Sequence, residues 1–68
     1  MEINLGDTIK RLRVEQKLSQ QELADLAGVH RTHINRIENN QRSPRFEDVV
    51  NILECLGYHI LFSKNDRL

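Results

Sequence analysis

LSQQELADLAGVHRTHINRIE, residues 18–38, reads as two short amphipathic helices joined by a tight turn. Ser19 is placed to cap the first, its side-chain oxygen accepting from a backbone N–H that the helix leaves unpaired. Glu22 stands three residues on and completes a capping box. Leu23, Ala24 and Ala27 recur at helical spacing and share one face. Ala24 is small, which lets a second helix approach closely. Gly28 suits the left-handed backbone that ends a helix, and Val29 can plug the corner. His30 takes the next N-cap position. Ile34 and Ile37 then form an inward face, while Arg31, Thr32, Asn35 and Arg36 project outward. The spacing predicts helices over 20–27 and 31–38.

Two helices in this order have the anatomy of a helix-turn-helix, whose second helix enters the major groove of DNA. The 68 residues carry ten basic and ten acidic side chains, a net charge of zero, which at first sight speaks against a nucleic-acid partner. The distribution reverses that impression. Residues 30–45 hold Arg31, Arg36, Arg42 and Arg45 against Glu38, a net of +3. Residues 1–29 net −1 and residues 46–68 net −2. Phosphate binding follows local charge placement, so the excess sits where a DNA-facing helix and its following loop need it.

Outward from this centre, Asn4 can cap a preceding helix, with Asp7 near the positive end of its dipole. Leu5, Ile9 and Leu12 give that helix an apolar stripe, and it is expected to end near Gln16. After the second motif helix, Asn39-Asn40-Gln41-Arg42-Ser43-Pro44 is a polar turn-rich loop, and Pro44 biases Ser43 toward an extended backbone. Phe46, Val49, Val50, Leu53 and Leu56 repeat at helical spacing with Ile52 beside them, and Gly57 is a natural stop. Tyr58-His59-Ile60-Leu61-Phe62 then reads as a short strand. A lone strand leaves a row of unpaired backbone groups. Pairing with the same strand of a second copy answers this, and a fifth helix or an apolar tail over the core are the alternatives. Tyr58, Ile60, Leu61 and Phe62 are thus candidate dimerisation residues. The expected architecture is all-α, four to five elements, with residues 1–57 as the binding domain and 58–68 as a strand and tail for dimerisation.

The single cysteine, Cys55, excludes an intrachain disulfide and reads as a small core residue. The opening MEINLGD lacks a basic n-region and no segment reaches about 20 apolar residues, so neither a signal peptide nor a membrane span is read and a cytoplasmic protein is expected. His30 and His33 lie three apart, a spacing that can share a metal, but no third ligand is near and no metal or other cofactor is expected. No nucleophile has a plausible base, and there is no phosphate loop or paired-carboxylate constellation, so an enzyme is not expected.

Over residues 5–57 the pattern resembles the lambda-repressor-like, or Xre-type, helix-turn-helix family. The resemblance rests on Leu18-Ser19-Gln20, Glu22-Leu23-Ala24, Leu26-Ala27-Gly28-Val29, Ile34, Ile37-Glu38-Asn39, Pro44 and Phe46. It implies that Gln20 touches a DNA phosphate and braces the recognition helix, and that Arg31, Thr32 and Arg36 face base edges. It implies further that His33 and Asn35 lie along the groove wall or backbone, and that Asn39, Arg42 and Arg45 reach phosphates. Arg13 and Glu38 match positions where some relatives hold an interior ion pair, although a surface pair is the plainer alternative. His30 departs from the usual Ser or Thr, so its cap is expected to be weaker or differently made. Asn40 stands where Gly is common, and Asn tolerates the left-handed conformation.

The resemblance implies a homodimeric repressor on an inverted repeat of double-stranded DNA. The short chain and its terminal strand are similar to HipB-type antitoxins, which would add a HipA-like kinase toxin as partner. A phage-type repressor or a restriction-modification controller is the alternative within the family. A protein-interaction module that neutralises a partner without DNA is the alternative from another class.

Overall fold

A computed structural model of the chain describes residues 4–61. Four helices follow one another: α1 Leu5–Glu15, α2 Gln20–Ala27, α3 Arg31–Glu38 and α4 Phe46–Cys55. Against α3 pack α1 and α2, and α4 packs on α2. Ile9, Leu12, Leu23, Ala24, Ala27, Ile34, Ile37, Ile52 and Leu56 form the shared core, with Val29 and Leu18 sealing its edges. Ala24 is wholly buried in the core on α2, where a larger side chain would push neighbouring helices apart.

The helix starts are built locally. Asn4 Oδ1 accepts from the Asp7 N–H at 3.0 Å. Ser19 Oγ accepts from the Glu22 N–H, and Glu22 Oε1 accepts from the Ser19 N–H, both at 2.9 Å. His30 does cap α3: its Nδ1 accepts from the Thr32 N–H at 3.1 Å. The acceptor in this cap is thus a ring nitrogen in place of the usual hydroxyl or carboxylate oxygen. His30→Ala is expected to cost about 1 kcal/mol, and His30→Ser to recover it, in urea unfolding.

All four helices stop in the same way. A left-handed residue follows each, at Lys17 (φ 59°), Gly28 (69°), Asn40 (59°) and Gly57 (87°). The amide after it bonds back over five residues: Leu18 to Arg13, Val29 to Ala24, Gln41 to Arg36 and Tyr58 to Leu53. This is the Schellman arrangement, which satisfies the last carbonyls of a helix.

Several expectations need correction. Leu5 is 39% and Phe46 62% exposed, because each is the first residue of its helix and lies beyond the end of the core. Gly6 is buried instead of Leu5, pressed against the Ile37 carbonyl at the end of α3. Cys55 is half-buried, packed against the edge of the core with its thiol 3.9 Å from Asn51 Oδ1. The fourth helix ends at Cys55, and Leu56 closes the core from its C-cap. Among the described residues there is no strand: Tyr58, His59, Ile60 and Leu61 are irregular, and Phe62 lies outside the described residues. A single chain offers no edge for Tyr58–Leu61 to pair with.

Candidate nucleic-acid interface

The outer face of α3 alternates with its core face. Ile34 and Ile37 are buried, which leaves Arg31 and Arg36 exposed and Thr32, His33 and Asn35 half-buried. Residues three and four apart share a helix face, so Arg31, Thr32, Asn35, Arg36 and Asn39 form one strip. Arg42 and Arg45 are exposed on the loop after α3.

Glu38, the single acid of the +3 segment, does not face that strip. Only 3% of it is exposed. Its Oε2 accepts from Arg13 Nε at 2.7 Å and its Oε1 from Arg13 Nη2 at 3.0 Å, a two-pronged pair joining α1 to α3. Arg13 Nη1 also donates to the Leu18 carbonyl at 2.7 Å, and Gln20 Nε2 donates to Glu38 Oε1 at 3.1 Å. The hydrogen bond to Glu38 raises the Arg13 pKa above its ordinary value, against the lowering effect of burial. With Glu38 neutralised inside, the outer surface of residues 30–45 presents four arginines, none in an ion pair among the described residues.

Gln20 is half-buried at the start of α2 and touches α3 directly: Asn35 Nδ2 donates to its Oε1 at 3.3 Å. Asn39 Nδ2 donates in turn to Asn35 Oδ1 at 3.2 Å. The amides of Gln20, Asn35 and Asn39 therefore form one chain along the strip.

His33 turns toward α4. Its Nε2 lies 3.4 Å from Asp48 Oδ2, and both side chains are mostly covered. Val29, His30, His33, Arg42, Arg45 and Asp48 line an open cleft of about 380 Å³ beside the start of α3. Asp48 was not among the residues singled out from sequence. It lies 15 positions from His33, and no local spacing announces a contact between separate helices. The arrangement offers planar cationic forks on a convex helix, with further cations behind its N-terminal end. Such forks match the O6 and N7 acceptors of guanine and the oxygens of phosphate. Among the described residues no helix is long and apolar enough to cross a membrane, and no group of three or more His, Cys, Asp or Glu is placed to hold a metal ion.

A sequence model of the helix-turn-helix family matches residues 9–62. The chain is also similar to control protein C.SmaI of Serratia marcescens, 29% identical over 53 residues. That alignment covers 78% of this chain and 63% of the relative, so the chain spans less than two thirds of the relative's length. With the family match covering most of its length and laid on this fold, the chain belongs to the lambda-repressor-like helix-turn-helix family of DNA-binding regulators.

Proposed function

We propose that the protein is a sequence-specific transcriptional repressor that binds an inverted-repeat operator as a homodimer. The observation that carries this reading is the exposed arginine surface of residues 30–45, from which the one acid has been withdrawn into the core. Arg31, Thr32 and Arg36 read base edges. Gln20, His33, Asn39, Arg42 and Arg45 hold the backbone. Phosphate contacts set position and carry no sequence information, whereas base contacts specify. One small module buries only roughly 600–1,000 Å² on DNA, so a second copy is the natural route to useful affinity. Two recognition helices then lie about 34 Å apart on the duplex.

Selection of binding sites from random duplex DNA, followed by affinity measurements at several salt concentrations, tests the reading. Binding that weakens steeply with salt is expected from neutralised phosphates. A protein-interaction module with no use for DNA would bind no duplex at all, and that result would sink the proposal. Arg36→Ala is expected to relax the preference at one base pair per half-site, by about 1–3 kcal/mol for a two-pronged contact. An even loss across all sequences would instead assign Arg36 to the backbone.

Two narrower roles remain, each with its own support. Similarity to a protein named as a control protein favours a controller of a restriction-modification system. The aromatic and β-branched Tyr58–Phe62 segment favours a HipB-type antitoxin, with Tyr58, Ile60, Leu61 and Phe62 pairing across the dimer and a HipA-like kinase toxin as partner. The neighbouring gene separates them: an adjacent toxin supports the antitoxin and an adjacent restriction endonuclease the controller.

A further inference from the structure

We infer that Asn35 is a base-reading residue whose amide is locked in one direction by the buried Arg13–Glu38 pair, so that it distinguishes A·T from T·A. The inference rests on the DNA-binding reading above and moves Asn35 from the groove wall to the readers.

The direction follows from what each group can donate. The guanidinium of Arg13 has donors only, and an ionised carboxylate has acceptors only. Glu38 therefore accepts from Arg13, and what faces its Oε1 from Gln20 must be the nitrogen, at 3.1 Å. With its nitrogen committed, Gln20 turns its oxygen to Asn35, which must answer with Nδ2, at 3.3 Å. Asn35 then turns Oδ1 toward Asn39, whose Nδ2 donates at 3.2 Å. Flipping any one amide would set oxygen against oxygen or nitrogen against nitrogen. An isolated asparagine has two nearly equivalent amide orientations, and here the charge pair in the core selects one.

An amide has two N–H groups and an oxygen with two lone pairs. The chain of contacts uses one N–H and one lone pair of Asn35. One N–H and one lone pair remain, the complement of the N7 acceptor and N6 amino donor of adenine. Asn35 lies one turn beyond Arg31 on the same strip, half-buried rather than hidden. Its nitrogen lies on the α2 side and its oxygen on the Asn39 side, so an adenine edge fits in one sense only. A reader held in place beforehand loses less freedom on binding than one that must be ordered by the DNA.

The test compares the selected operator with every single base-pair change, in wild type, Asn35→Ala and Gln20→Ala. Circular dichroism of each variant checks that it is folded. Wild type is expected to prefer A·T at one pair per half-site by roughly 5- to 150-fold, the range of a good two-pronged contact. Asn35→Ala erases that preference and leaves the others. Gln20→Ala, which keeps the ion pair, shrinks the same preference several-fold, and any phosphate contact of Gln20 cancels in the ratio. Side-chain amide resonances of Asn35 in the free protein are expected to be distinct and to collapse toward averaged values in Gln20→Ala. Asn35→Ala weakening all operators alike, or Gln20→Ala leaving the ratio untouched, overturns the inference while the regulator reading stands. No DNA binding by wild type overturns both.

Discussion

Glu38→Ala is expected to lower the unfolding free energy by about 3–5 kcal/mol, the cost of leaving a buried charge without its partner. The Arg13 side chain is only 11% exposed and cannot swing into water without opening the joint between α1 and α3. Native stability runs at about 0.05–0.15 kcal/mol per residue, so for a chain of this size the loss takes from about a third to all of what there is. Gln20 also loses its acceptor, and Arg13 keeps only the Leu18 carbonyl. Urea denaturation of Glu38→Ala beside the double variant Arg13→Met/Glu38→Met isolates the cause. The double variant removes both charges and fills the space, so it should regain most of the stability. If the single variant unfolds within a few tenths of a kcal/mol of wild type, the pair is an ordinary surface contact.

Gly6→Ala is the second large effect, and its sign is the informative part. Within a helix, Gly to Ala ordinarily gains about 0.5–1 kcal/mol by restricting the unfolded chain. Here a Cβ would overlap the Ile37 carbonyl and come within 2.7 Å of Asn40 Oδ1. The Ile37 carbonyl is backbone, bonded to the Asn40 N–H at 3.1 Å as part of the stop of α3, and cannot rotate away. Either α1 lifts or α3 moves outward, at about 3 kcal/mol, the upper end of ordinary overpacking. Thermal unfolding should show a clear drop. Operator affinity of the still-folded fraction at low temperature should fall as well, because α1 buttresses the DNA-facing helix from behind. A rise in stability would mean the helices are not in contact at Gly6.

The bounds of α2 and α3 were readable because their signals are local: Ser19, Glu22, Gly28 and His30 act within one turn of their own positions. Lys17 was not readable as a stop. Its left-handed backbone is held by the Leu18 and Lys17 amides bonding back to Arg13 and Val14, and nothing in a lysine announces it. Periodicity gave the buried faces of α1 and α4, and the Asn4 cap, the end near Gln16 and the Gly57 stop were legible as well, but Leu5 and Phe46 are exposed because a helix can overhang its core. Gly6 carried no signal, since a glycine in a helix reads as weakness until the neighbouring backbone is seen. At the candidate site the exposed arginines followed from helix phase. The positions of Arg13 and Glu38 came from resemblance alone, and the Gln20–Asn35 and His33–Asp48 contacts join separate helices at separations no local pattern encodes. The strand expected from Tyr58 onward would need a paired edge for its hydrogen bonds, and residues Tyr58–Leu61 are irregular.

The recognition helix is eight residues long, about 12 Å at 1.5 Å per residue. Base pairs rise 3.4 Å each, so one such helix can address roughly four of them. A four-letter word recurs by chance about once in 256 positions, and a genome contains thousands of copies of it. Reading the same word twice, in fixed orientation and at fixed spacing, lengthens it to roughly eight letters, found about once in 65,000. The shortness of α3 thus limits how much information one subunit can carry. Duplication multiplies the rarity of the target without adding a residue to the chain.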